Sequence, residues 1–272
     1  MKKIALGLLA TAIIATTTAQ AATQSPRLRG ELTQGINHAG LPNQLKSPVR
    51  GLPAPTVAIS DLKTIPTVLV PANKSASVMM DVTLMDEFLD DIAPNARHYP
   101  TNFPSRTAEY VAKENIKYLS DWIEPLATAP DASIDVLLRA AKINGMARNM
   151  NIGTDYTLRA SAHMQKALQV DPNNAEANFL LGMMLSETGA FKEGRKYLDK
   201  AASLGFVEAE QSIAQADLLS DNKSAALKRL RDLAAKNPNN AQIAEQIRLV
   251  ESGNFYIWSI ADNNLNIKSI EQ

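Results

Sequence analysis

The chain has 272 residues, 45% of them apolar, with 28 basic and 28 acidic side chains and no cysteine. That is enough apolar material for one large or two small cores, and it excludes disulfides, thiolate metal sites, a thiol nucleophile and a lipid-modified cysteine. With the two lysines of the leader described below taken away, 26 basic side chains face 28 acidic ones, a net of −2 that offers no electrostatic footprint for nucleic acid.

Residues 1–21 have a basic start at Lys2 and Lys3, an apolar run from Ile4 to Ala15, and a polar stretch ending in Ala19-Gln20-Ala21. This is the three-part pattern of a bacterial-type secretory leader with cleavage after Ala21. The apolar run is short of the ~20 residues a membrane span needs, and no other stretch is longer. The expected product is an exported, soluble chain in the periplasm or outside the cell, with no transmembrane segment in its mature form.

Residues 22–77 hold Pro26, Pro42, Pro48, Pro53, Pro55, Pro66 and Pro71, half of the 14 prolines in the chain. Proline at this density blocks helices and central strands, so the segment reads as flexible or largely extended. It is also locally basic, with Arg27, Arg29, Lys46 and Arg50 set against Glu31 before Asp61, and it contains near-duplicates such as Ser25-Pro26-Arg27-Leu28-Arg29-Gly30 and Ser47-Pro48-Val49-Arg50-Gly51. A linker is the plain expectation; an arm that contacts a component of the cell envelope is the alternative. Two short β-like runs, 56–59 and 67–70, lie within it.

From residue 78 the pattern becomes helical, which few aromatics and abundant Ala, Leu and Met also favour. Met85, Phe88, Leu89 and Ile92 recur at i, i+3, i+4 and i+7. Asp86, Glu87, Asp90 and Asp91 between them lack the glycine turn and alternating ligand spacing of a calcium loop, so they read as a solvated face. Ser105 is a plausible N-cap for a helix carrying Ala108, Val111, Ala112, Ile116, Leu119, Trp122 and Ile123, in which Trp122 is expected in the core. These elements make residues 78–130 a helical lead-in. Asp131 or Ser133 then caps a helix through Leu137, Leu138, Ala141, Ile143 and Met146, and another begins at Thr154 or Asp155 and carries Ala160, Met164 and Ala167. His163 on that helix is expected to face water.

The next stretch, Ala175–Phe206, reads as two short amphipathic helices around a turn at Gly189, with Phe179, Leu180, Leu181, Gly182 and Leu185 in the first and Phe191, Leu198, Ala201 and Ala202 in the second. The break Asp171-Pro172-Asn173-Asn174 before it is echoed by Asn237-Pro238-Asn239-Asn240 after Val207–Pro238. Together these features resemble the tetratricopeptide repeat (TPR), over roughly residues 133–252. The junction from Ala201 to Ala209 also resembles the related Sel-one-like repeats. Asn178 stands where the tetratricopeptide family usually has an aromatic residue, Gly194 where it prefers alanine, and Glu210 and Asp217 where large apolar residues are usual. A final helix from Ala241 to Glu251, closed by Gly253, reads as the cap an array of hairpins needs. Residues 254–272 form a tail whose Phe255-Tyr256-Ile257-Trp258-Ser259-Ile260 is expected to dock on the array.

The resemblance implies an all-α chain: a short right-handed α-solenoid of TPR-type hairpins over residues 131–253, with a C-terminal capping helix. Its first helices would line a concave groove for a protein or peptide partner. By repeat position the groove residues are Glu176, Phe179, Met183, Ser186 and Glu187, then Glu208, Gln211 and Gln215, with Phe179 and Met183 as an apolar floor. The family's carboxylate-clamping Lys and Asn residues are missing from these positions, which argues against a receptor for chaperone tails. No catalytic set, cofactor or metal site is expected: His38, His98 and His163 are scattered, and no metal-binding histidine pair, phosphate loop or nucleophile elbow occurs. The functional expectation is a non-enzymatic exported adaptor acting in cell-envelope assembly or maintenance. The alternative is a polysaccharide-associated factor that works through its basic N-terminal arm.

Overall fold

The computed structural model describes residues 67–259 together with 265 and 267. The leader, the basic arm, the β-like run 56–59 and Ile260 lie outside the described residues. The chain divides into a unit of residues 1–68 and a unit of residues 69–272, and every element below belongs to the second.

A short antiparallel ribbon comes first, β1 (Leu69–Pro71) against β2 (Met79–Asp81), with Val70 opposite Met80. Nine helices follow among the described residues: α1 (Thr83–Ala96), α2 (Arg106–Thr128), α3 (Ile134–Asn149), α4 (Thr154–Val170), α5 (Ala175–Glu187), α6 (Phe191–Ser203), α7 (Val207–Leu219), α8 (Lys223–Lys236) and α9 (Ala241–Glu251). From α2 onward each helix packs on the next, and α1, α3, α5 and α7 also touch in series. The unit is therefore all-helical, with neighbouring hairpins stacked so that their first helices form one row.

The starts of these helices are chemically specified. Ser105 Oγ accepts from Ala108 N, and Ser133 Oγ from Val136 N at 3.1 Å while donating to Pro71 O, which ties β1 to α3. The echoed breaks do the same work twice: Asn174 Oδ1 accepts from Ala177 N at the head of α5, and Asn240 Oδ1 from Gln242 N and Ile243 N at the head of α9. Asn178 is buried and donates to Pro172 O and Asn174 O, so the departure from an aromatic residue replaces packing by a lock on the turn.

The helix ends are equally regular. After α5, α6 and α7 come three-residue connectors whose middle residue has positive φ: Gly189 (89°), Gly205 (89°) and Asp221 (58°). In each, the following amide bonds back five residues, Ala190 N to Leu185 O, Phe206 N to Ala201 O and Asn222 N to Asp217 O. This is the Schellman closure, which satisfies carbonyls the helix leaves unpaired. A Cβ at Gly205 would meet nothing within 4 Å, so Gly205→Ala carries the left-handed backbone penalty alone, about 1 kcal/mol. Asp221→Gly is expected to move stability the other way by a few tenths of that, relief of strain being offset by unfolded-chain entropy. Urea midpoints of the two variants, displaced in opposite directions, check both.

In the core, α5 has buried residues on all sides because α3, α4, α6 and α7 all pack against it. Between α5 and α6 two glycines meet. A Cβ on Gly182 would lie 2.8 Å from Leu198 N and 2.9 Å from Gly194 O; one on Gly194 would lie 2.6 Å from Gly182 O and also strike Ser186 Oγ. Glycine at 194, where the repeat family favours alanine, is thus required by the closeness of the two backbones.

Three expectations need correction. Trp122 is 40% exposed, because the buried stripe of α2 runs through Ala112, Ile116, Leu119, Ile123 and Ala127 and leaves Trp122 about 100° to one side. His163 does not face water: it is 2% exposed and its Nε2 lies 2.9 Å from Glu124 Oε2, in the seam between α4 and α2. Glu210 and Asp217, in the places of large apolar residues, both turn to Arg229 of α8, at 2.6 and 3.4 Å, and Asp217 also meets Arg195 of α6 at 3.5 Å. Of the four carboxylates on α1, Glu87, Asp90 and Asp91 are exposed, while Asp86 makes a two-pronged pair with Arg139 of α3 at 2.7 and 2.6 Å.

Candidate functional site

α1 ends at Ala96, and the chain then runs onto the face of α5 and α7. Asn149, at the end of α3, donates from Nδ2 to Ala96 O (3.1 Å) and Arg97 O (2.7 Å), which occupies carbonyls exposed by the end of α1. Its Oδ1 accepts from Arg148 Nη1 at 2.6 Å. This anchor aims Arg97 and His98 at two carboxylates on neighbouring hairpins.

His98 Nδ1 lies 3.0 Å from Glu187 Oε1 on α5, and Nε2 lies 3.0 Å from Glu208 Oε1 on α7. An ionised carboxylate only accepts, so both ring nitrogens must donate and the ring is an imidazolium. Each glutamate spends its second oxygen on an arginine: Glu208 Oε2 on Arg97 at 2.6 Å, and Glu187 Oε2 on Arg148 at 3.4 Å. Three cations and two anions thus alternate in a cluster where the His98 side chain is only 9% exposed. Burial disfavours the imidazolium, but the bonds to Glu187 and Glu208 outweigh it and raise the His98 pKa above its ordinary value. Burial also works against the Glu208 carboxylate, yet the bond from His98 and the Arg97 charge hold its pKa below the usual range. In this protonated form His98 has no lone pair free for base catalysis or for a metal.

The tail closes over this cluster. Trp258 stacks on His98 with centroids 3.6 Å apart and planes 8° from parallel. Tyr256 Oη donates to Tyr99 O at 2.8 Å, and burial pushes its pKa up. Gln215 on α7 reads the backbone of the tail from both sides of one residue: Nε2 donates to Phe255 O and Oε1 accepts from Ile257 N, each at 2.8 Å. Ile257 is fully buried against Ala214, Leu218, Ala226, Leu230 and Val250, whereas Phe255 points outward at 61% exposure.

The residues expected in the groove are drawn together, but not as an open floor. Phe179 is 1% exposed and stacks on Phe206 at 4.6 Å, so it is core; the packing on every side of α5 leaves it no open face. Met183 is buried beside it, and Ser186 is buried where α5 meets Gly194 of α6. Glu176 pairs with Lys142 of α3 at 3.1 Å, and Gln211 donates to Gln246 Oε1 of α9 at 2.9 Å. Glu187, Glu208 and Gln215 are the three that hold non-helical chain. The sequence reading passed over His98, Arg97, Arg148 and Asn149. His98 lies 89 and 110 residues from its two carboxylates, and nothing in the local pattern points to them.

No family model, curated protein or solved structure matches this chain. Among the described residues, no group of three or more His, Asp or Glu side chains is arranged to hold a metal ion, and no helix is long and apolar enough to cross a membrane.

Proposed function

We propose that this chain is an exported, non-enzymatic scaffold: a short right-handed superhelix of TPR-type hairpins that binds a protein or peptide partner on the face of its first helices and serves cell-envelope assembly or maintenance. The observation that carries the reading is Gln215, a side chain on one hairpin that holds the main chain of a non-helical segment by two hydrogen bonds. Hairpins stacked with their first helices in a row, and two carboxylates of neighbouring hairpins jointly holding one cationic side chain, support it further. Export rests on the leader pattern of residues 1–21, and the arm of residues 22–77 lies outside the described residues up to residue 66.

Phe179 and Met183 are buried, so charge introduced there would test folding rather than binding. Site-specific photo-crosslinking avoids that problem. A photoreactive residue at Glu176, on the row of first helices, is expected to capture a discrete envelope protein, and one at exposed Lys228 on α8 is not. Equal capture from both positions, or none from Glu176, would overturn the proposal.

A further inference from the structure

From Phe255 to Trp258 the tail belongs to no helix or strand, and the groups that hold it are side chains of the array. Gln215 bonds only to main-chain atoms, so it accepts any residue except proline at the position of Ile257. Selectivity comes instead from the side chains at that position and the next: an aliphatic one sunk among Ala214, Leu218, Leu230 and Val250, and a flat aromatic one laid on the imidazolium of His98. The tail is thus bound as a peptide is bound. It joins α9 through Gly253, whose φ of 94° turns the chain out of the helix.

Ser186 and Ser212 line a cavity of about 20 Å³ beside Trp258. We infer that the site made by Gln215, His98 and the pocket of Ile257 is a receptor for a non-helical polypeptide segment of a partner. That segment carries an aliphatic residue followed by tryptophan or another flat aromatic residue, and the chain's own tail is its displaceable occupant. The inference rests on the scaffold reading above and deepens it by naming the partner's chemistry.

A tethered occupant competes at an effective concentration in the millimolar range, so the uncut chain should resist an added peptide that a cut chain accepts. The test places a protease site between Gly253 and Asn254 of the mature chain and cleaves it after folding. The probe is a fluorescent peptide copying residues 254–272, followed by anisotropy. The cut chain is expected to exchange its tail for the probe saturably. Binding should weaken about tenfold or more when the array carries Gln215→Ala, two main-chain hydrogen bonds being lost, or when the peptide carries Trp258→Ala. The uncut chain should bind the probe far more weakly than the cut one.

The inference fails if the cut chain keeps its tail without exchange, if it unfolds once the tail leaves, or if neither substitution changes binding. It also fails if the uncut chain dimerises with rising concentration and the dimer is lost with Trp258→Ala, which would give the site to the tail of a second copy. Failed exchange with Glu176 cross-links intact leaves the scaffold standing and moves the partner elsewhere on the row. Lost cross-links with exchange intact remove the proposed function but not the peptide site.

Discussion

Replacing His98 by alanine is expected to lower stability by about 3 kcal/mol, out of a total that for a domain of this kind is of the order of 10. The imidazolium is held by two buried carboxylates and covered by Trp258. Removing one partner of such a cluster leaves charge without compensation, a loss of about 3–5 kcal/mol when nothing else replaces it. Here Arg97 and Arg148 remain on Glu208 and Glu187, which places the effect at the lower end. His98→Gln, which keeps one donor nitrogen but lacks the second and the charge, should fall between alanine and wild type. Urea unfolding read by tryptophan fluorescence measures the series, and an alanine variant within 1 kcal/mol of wild type would remove the cluster from the account of stability.

The same cluster sets a pH dependence with a definite sign. The pKa of His98 is raised above 6.5 in the folded chain, so its contribution is complete below pH 6.5 and lost as pH rises through the folded value. The pKa of Glu208 is lowered below 4.5, so its contribution is present above pH 4.5 and lost as pH falls through the folded value. The junction is therefore strongest between about pH 4.5 and 6.5. On the alkaline side the tail should loosen first, because Trp258 loses the charged ring it lies on. In the His98→Ala variant the alkaline limb should flatten.

The second large effect is expected at the crossing of α5 and α6. Gly194→Ala and Gly182→Ala should each destabilise the chain by about 3 kcal/mol, the upper end of the overpacking range. Besides the side chains of Ser186 and Leu198, a new methyl group would strike main-chain atoms, Gly182 O at 2.6 Å in one case and Leu198 N at 2.8 Å in the other, and these yield only if a helix moves. The double variant should lose less than the sum, since one displacement relieves both clashes. Gly145→Ala is the control. Its Cβ would meet only the flexible end of Met164 at 3.7 Å, so the better helix former should gain up to about 1 kcal/mol. Midpoints in urea at constant slope decide the matter, and an equal loss at Gly145 would refute the assignment of the effect to backbone contact.

What could be read in the sequence was what neighbouring residues decide. Ser105 and Ser133 are caps because a hydroxyl there meets an amide three residues on, and the Asn-Asn ends of the two breaks cap α5 and α9 for the same local reason. The 3.6 period of Met85, Phe88, Leu89 and Ile92 showed α1 directly. Where local pattern had to stand for tertiary packing it fell short. The apolar stripe of α2 was drawn too wide and took in Trp122, and α5 was read as having one buried face when it is buried nearly all round. Glu187, Glu208 and Gln215 were reached by repeat position alone. The docking of the tail is legible in its run of aromatics, but the other occupant, His98, gives no signal of its contacts, because pairing across 89 to 110 residues leaves no trace in a single sequence.

The His98 junction has a consequence for how the molecule comes apart. Stacked hairpins linked only to their neighbours behave as a one-dimensional lattice, able to fray from either end without disturbing the middle. Here the segment after α1 grips α5 and α7, and Tyr256 of the tail reaches back 157 residues to Tyr99, so the two ends of the row are clasped. A clasped lattice loses its free ends. Amides in α1 and α9 should then exchange with solvent at rates close to those of α5, through one global opening, and the gradient from end to centre should return only when the clasp is cut.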